Sequence, residues 1–268
     1  MSKQLLVTTF NIAGYRNYGK RMLTSFLRHW PKDQQMVVYH ENFTLDTLFQ
    51  DNPQIIIRNL NTVTDLVTFK RRHANNPPAH GYWPLGATAN VFKWDAVKFS
   101  HKVYALNHCF ENLEDDVDGM VWLDGDTITH RDVPPEFLGG MAATGEFGLS
   151  YLGRTNNHSE CGFVGYNRRH PQMAEFWARF VGLYNSDELF KLEEWHDSFV
   201  FDVVRREFEA AGMKNFNITP DPVNNHPFIN SDLGLYMDHM KGNRKQMGRS
   251  KRHERQIKVD DEPGWWVR

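Results

Sequence analysis

The apolar run Met120-Val121-Trp122-Leu123 stops abruptly at Asp124-Gly125-Asp126. Four apolar residues bounded by polar ones suit a strand buried on both faces, as in a parallel sheet. Asp124 and Asp126 are two apart, so in extended backbone their side chains share one side. Two carboxylates held together repel each other unless a cation lies between them. Gly125 carries no side chain, which lets a ligand approach its backbone closely. In open α/β sheets ligands bind at the carboxyl ends of strands, where this pair falls. The competing reading of Asp-Gly is a tight turn and nothing more.

The rest of the chain reads as the setting for such a strand. Residues 5–10 form a first strand, followed by a polar, glycine-containing turn over 11–19. Met22, Leu23, Phe26, Leu27 and Trp30 recur at helical spacing until Pro31 ends the helix. Strands at 36–39 and 55–57 complete the opening of a parallel, doubly wound sheet. The loop after the first strand has neither G-x-G-x-x-G nor the P-loop pattern, so those phosphate cradles are excluded.

Residues 68–89 read as irregular, and a helix follows with Phe92, Ala96, Phe99, Val103, Leu106 and Phe110 on one face. Lys93, Asp95, Lys98, His101 and Lys102 fall mostly off that face. The acidic run 114–118 reads as a solvated turn. Strands are expected at 147–152 and 161–166, helices at 171–184 and 197–211, and 212–230 reads as loop-rich. With neither repeat nor linker, 1–268 reads as a single α/β domain, its mostly parallel central sheet flanked by helices.

The formal net charge of −2 argues against a wholly basic nucleic-acid binder, though the stretch 241–258 carries eight lysines and arginines. Two cysteines, Cys109 and Cys161, signal no disulfide framework and fit reduced, buried thiols in a cytoplasmic protein. Residues 1–4 run straight into the first strand, without the pattern of a secretory signal, and no apolar stretch is long enough to span a bilayer.

Downstream, His239, Gly242 and Lys245 form H-x-x-G-x-x-K. Together with the upstream D-x-D, this resembles the retaining glycosyltransferases of the GT-A (Rossmann-like) fold, family 8, of the glycogenin and lipopolysaccharide-galactosyltransferase type. The resemblance implies that Asp124, Asp126 and His239 hold Mn2+ (or Mg2+). It implies that Lys245 and the backbone of Gly242 grip the diphosphate of a UDP-sugar, close to Asp124 and Gly125. Carboxylate, imidazole and phosphate ligands suit manganese better than calcium.

By the same resemblance Thr8, Thr9, Asn11 and Tyr15 lie where uridine binds, with Tyr15 placed to stack on the base. Lys102 matches the family's basic residue toward the donor. Glu160-Cys161-Gly162 takes the place of the family's N-A-G or N-S-G, which touches the donor sugar. Asp197, in Trp195-His196-Asp197-Ser198, takes the place of an acidic motif beside the anomeric carbon, and Glu160 competes with it for the catalytic role. Residues 1–130 then become a nucleotide-binding half, 131–240 an acceptor-side half and 241–268 a basic tail. Gln246-Met247 replaces the family's Pro-Trp, and Glu160 its Asn, departures that bear on which sugar is carried.

Blander roles stand beside each of these. His239 alone is an ordinary surface or structural histidine, Asp197 a helix cap, Lys102 a solvated lysine, and Trp265-Trp266 a hydrophobic clasp. The acceptor is a glycan or, through the basic tail and Lys70-Arg71-Arg72, a hydroxymethylated DNA base that must be extruded from its stack. A nucleic-acid-binding module built on the basic stretch is one alternative. A sugar-phosphate nucleotidyltransferase is another; it calls for a glycine-rich, arginine-containing loop after strand one, which 11–19 does not supply convincingly. Oligomeric state is left open by the sequence.

Overall fold

The computed structural model describes residues 2–84, 86–221, 223–257 and 264–267; Lys258, the last cation of the basic stretch, lies outside them. The strands are β1 (Gln4–Phe10), β2 (Met36–His40), β3 (Ile55–Asn59), β4 (Gly119–Leu123), β5 (Thr127–Thr129), β6 (Phe147–Leu152), β7 (Glu160–Asn167), β8 (Lys214–Asn217) and β9 (Met237–His239). Seven of them form one sheet in the order β3-β2-β1-β4-β7-β6-β8, and β5 pairs with β9 in a small second sheet. β3, β2, β1 and β4 run parallel, and β6 and β8 are parallel to each other. β7 is antiparallel to both of its neighbours.

The longer helices are α1 (Lys20–His29), α2 (Thr64–Arg72), α3 (Ala96–Glu111), α4 (Met173–Asn185) and α5 (Asp197–Ala210). Strand alternation divides the core in two. Leu5, Val7, Val37, Tyr39, Met120 and Trp122 pack with residues of α2 to α5. Leu6, Met36, Val38, Val121 and Leu123 pack with Met22, Leu23 and Phe26 of α1 and with Phe228, Met237 and Trp266. Both faces of the central strands are therefore apolar, as the Met120–Leu123 run requires.

Three local expectations are corrected, and one loop-rich stretch also holds a short strand. The stretch 11–19 is helical rather than a turn, running into α1. The Asn11 side chain accepts from the Gly14 amide, capping it, and a Cβ on Gly19 would come within 2.6 Å of the Phe10 ring. Residues 68–89 are less irregular than expected: α2 covers 64–72, held by buried Leu66 and Phe69, and Pro77–His80 makes a 3-10 turn. The run 212–230 contains β8, which the short polar sequence Lys214-Asn215-Phe216-Asn217 does not announce. The helix expected from Phe92 begins at Ala96, because Asp95 accepts from the Lys98 amide, and Phe92 stays exposed. The tryptophan clasp holds for Trp266, which is buried and donates to the Gly234 carbonyl at 2.8 Å.

Candidate active site

β4 ends at Leu123, and Asp124, Gly125 and Asp126 form a tight turn rather than the extended backbone expected, closed by the Thr127 amide on the Asp124 carbonyl at 3.0 Å, after which the chain re-enters as β5. β9 pairs antiparallel with β5, and its register sets His239 opposite Thr127. The Met240 amide donates to the Asp126 carbonyl at 3.0 Å, fixing the two segments together. His239 Nε2 consequently lies 3.3 Å from Asp124 Oδ2 and 3.3 Å from Asp126 Oδ1. One donor atom from each of the three residues lies within 4.8 Å of the others. His239 is thus a neighbour of Asp124 and Asp126, 115 and 113 positions away in sequence, because of a three-residue strand pair.

Behind His239, Glu160 Oε1 accepts from Nδ1 at 2.8 Å. An ionised carboxylate has acceptors only, so the proton on that bond belongs to the imidazole. Glu160 is 1% exposed and also faces His226 Nδ1 at 3.4 Å. It opens β7, and because β7 is antiparallel to β4 its first residues lie beside the end of β4. Gly162 lines the same space: a Cβ there would come within 2.6 Å of His239 Nδ1. A Cβ on Gly125 would overlap the Phe10 ring. Each glycine is where it is because a ring occupies the space of the missing side chain.

Charge is arranged around this core on two sides. Lys245 Nζ reaches Asp126 Oδ2 at 3.0 Å and lies 4.7 Å from the centre of the Tyr18 ring. Lys102 Nζ donates to Asp197 Oδ2 at 2.8 Å and to the Cys161 carbonyl at 2.6 Å, lies 3.6 Å from Asp124 Oδ1, and stands over the Trp122 ring. Trp122 itself donates to Asp124 Oδ1. Burial opposes ionisation of Asp124, but Lys102 and His239 outweigh it and hold the carboxyl below its ordinary value. Burial is outweighed at Asp126 too, chiefly by His239. For His239 the same burial would favour the neutral ring; the carboxylates of Asp126, Asp124 and Glu160 prevail and raise it well above the ordinary histidine value. Glu160 is held well below the carboxylate range, burial being overcome by hydrogen bonds from His226 and His239.

The remaining sequence candidates fall into two groups. Lys102 and Asp197 join the cluster, and both of their bland readings are corrected. Lys102 is buried at 9% exposure, because α3 packs on the sheet across a wider face than its apolar spacing marks. Asp197 is the first residue of α5 and not its cap: His196 holds the cap position, and the Asp197 carboxylate turns to Lys102. Thr8, Thr9, Asn11 and Tyr15 occupy the end of β1 and the turn after it. Thr8 is buried, Thr9 Oγ1 donates to the Tyr39 carbonyl, and Asn11 serves as a cap. Tyr15 is 5% exposed, packed against Phe43 with ring centres 5.1 Å apart, its hydroxyl accepting from the Asp46 amide. Gly242 has φ +63°, left-handed backbone with open space around its Cα, and starts the turn that brings Lys245 back. Sequence reasoning missed Tyr18, Trp122 and His226; only Trp122 carried a signal, its place in the strand before the D-x-D.

No protein-family model matches this chain, and no curated protein matches it in sequence. Solved structures do match. Mouse xyloside xylosyltransferase 1 in its apo form superposes with a TM-score of 0.50 and 10% identity, over 81% of this chain and 85% of that one. The chain shares its fold with a glycosyltransferase. The apo WbbM bifunctional glycosyltransferase is similar over 76% of this chain at 13% identity and a TM-score of 0.46, and the chain spans 37% of its length. The apo glycosyltransferase GlyE of Streptococcus pneumoniae TIGR4 is similar over 77% of this chain at 15% identity and a TM-score of 0.47, with 44% of its own length covered. At 10% identity the likeness to the xylosyltransferase is one of fold. Among the described residues no helix is long and apolar enough to cross a membrane.

Proposed function

We propose that this protein is a metal-dependent glycosyltransferase that moves a sugar from a UDP-sugar to an acceptor hydroxyl, with retention of configuration and with a glycan as acceptor. The observation that carries the reading is the convergence of Asp124, Asp126 and His239 at the carboxyl end of β4, with Lys245 on Asp126. Two carboxylates and one imidazole facing a common point fit a manganese or magnesium ion. When bound, that ion neutralises charge on the departing diphosphate.

The chain's own residues divide the remaining work. Lys245 sits on a turn beside the acidic pair, where its ammonium faces the same anionic leaving group, and the open backbone at Gly242 leaves room for phosphate. Lys102 holds Asp197 one ammonium group away from Asp124, which puts the Asp197 carboxylate beside the reacting centre. There it stabilises positive charge developing at the anomeric carbon and orients the acceptor. Glu160 is a positioning residue in this scheme: it is buried behind His239 and fixes which imidazole nitrogen faces the acidic pair. Thr9 and Asn11 lie on the uridine side at the end of β1; Thr8 and Tyr15 are buried, so Tyr15, packed on Phe43, shapes that wall rather than stacking on the base.

A polyanionic acceptor such as hydroxymethylated DNA is a second reading, favoured by one feature. Arg16, Lys20, Arg21, Arg28 and Arg249 line a groove of about 950 Å³ beside α1. Arg21 hydrogen-bonds the Gly248 carbonyl, so the groove adjoins the Lys245 turn. The deciding experiment measures UDP release from a panel of UDP-sugars, with Mn2+ or with chelator, by wild type and Asp126→Ala. Release from one sugar that disappears with chelator and in the variant supports the donor site and names the sugar. Absence of turnover and of binding for every donor refutes it.

A further inference from the structure

A second cluster of metal-ligating side chains lies outside the donor site. His158 comes from the loop before β7, and Glu194 and His196 come from the loop before α5. Glu194 Oε2 is 2.8 Å from His196 Nε2 and 3.3 Å from His158 Nε2, and all three donor atoms lie within 4.8 Å of one another. Ligands held about 2.0–2.1 Å from a tetrahedral zinc stand roughly 3.3–3.5 Å apart. The His158–Glu194 pair is at that spacing, and the hydrogen-bonded His196–Glu194 pair at 2.8 Å needs to open by about half an ångström to reach it.

The backbone around each ligand is tied down. Ser159, next to His158, donates through its amide and its hydroxyl to the buried Asp202 carboxylate, and Arg154 donates to the His158 carbonyl. The Trp195 amide donates to the Lys93 carbonyl at 2.8 Å, and Trp94 Nε1 to the Glu193 carbonyl at 2.8 Å, so the Glu194–His196 loop is stitched to the segment before α3. Lys93 pairs with the other carboxylate oxygen, Glu194 Oε1, leaving Oε2 to the two imidazoles. Phe92, Phe99 and Phe199 pack against the histidine rings. The His158 side chain is 31% exposed, so an ion in solvent can reach the cluster. A rigid frame, a dry wall and an approach from solvent are the properties of a preorganised site.

We infer that His158, Glu194 and His196 form a second divalent-metal site, selective for zinc-like ions. Two imidazoles and one carboxylate are a softer, nitrogen-richer set than Asp124, Asp126 and His239, and favour Zn2+ over Mn2+ or Mg2+. Three protein ligands leave a fourth position open to water or to an oxygen of a bound molecule. His196 directly precedes Asp197, so an ion there also fixes the start of α5.

The test uses Co2+ and Zn2+ on full-length Asp126→Ala protein, which lacks one ligand of the donor-site cluster. One equivalent of Co2+ should give visible d–d absorption that one equivalent of Zn2+ abolishes. Adding His158→Ala, or separately Glu194→Gln, should weaken Zn2+ binding at least tenfold while the far-UV circular dichroism is unchanged. Absence of Co2+ absorption, or Zn2+ binding unaltered by both substitutions in folded protein, overturns the inference and leaves a hydrogen-bonded cluster. Because His158 and Glu194 lie outside the donor cluster, a loss of Zn2+ binding on their substitution reports this site whether or not the donor reading stands.

Discussion

Replacing Glu160 by glutamine removes a charge while keeping nearly the same volume, and so isolates what the carboxylate does behind His239. Glu160 Oε1 accepts from His239 Nδ1 at 2.8 Å in a place where the side chain is 1% exposed. A hydrogen bond to a charged group contributes about 1.5–3 kcal/mol. Loss of such a partner behind a metal-bound histidine weakens metal affinity about 10–100-fold, equivalent to about 1.4–2.7 kcal/mol. Mn2+ titration followed by the electron paramagnetic resonance of the free ion should show that loss in Glu160→Gln, with Asp126→Ala as the control in which the site itself is damaged. In turnover with a UDP-sugar, the Mn2+ concentration for half-activation should rise by the same factor, while kcat at saturating Mn2+ changes little. The opposite pattern, unchanged Mn2+ affinity with a fall in kcat or a rise in donor KM, refutes the positioning role. It would return Glu160 to the donor sugar, where the family resemblance places it.

Gly162→Ala should disturb the same ring at the nitrogen Glu160 holds, since the new Cβ would come within 2.6 Å of His239 Nδ1; overpacking of this kind costs about 1–3 kcal/mol, read as a lower urea midpoint together with weaker Mn2+ binding. Lys245→Ala should raise the donor KM by tenfold or more while leaving the thermal midpoint nearly unchanged, because the ammonium is partly exposed and its partner Asp126 keeps His239. Metal uptake should release a proton near neutral pH, since carboxylates hold His239 above its ordinary value and the ion must displace that proton; calorimetry in two buffers of different ionisation enthalpy measures it, and Mn2+ affinity should fall as pH falls. Glu254 bonds Arg244, which, against burial, lowers its carboxyl from 4.5 to about 2. A depressed folded pKa contributes stability that is present above 4.5 and lost as pH falls toward about 2, so Glu254→Gln should lower the melting temperature at pH 6 and converge with wild type near pH 2.

The parallel strands and the presence of the acidic pair are legible in residue pattern alone. Leu5 to Phe10, Met36 to Tyr39 and Met120 to Leu123 are apolar on both faces, and that pattern reports burial wherever the strand is placed. How Asp124 and Asp126 come together was not legible: the two-residue period of a strand does not apply, because β4 ends at Leu123 and the pair lies in a turn closed by the Thr127 amide on the Asp124 carbonyl at 3.0 Å. Lys102 and Asp197 were legible as candidates, but their pairing was not, because nothing local to a helix says which neighbour its buried lysine will meet. The helical turn at 11–19 and β8 were missed because a cap, a glycine against a ring and an edge pairing stabilise them in place of an apolar period. The place of Glu160 behind His239 comes from long-range packing. Residues 79 apart come together there because β7 runs antiparallel beside β4 while β9 pairs with β5, a consequence of strand register across the sheets and of no sequence spacing.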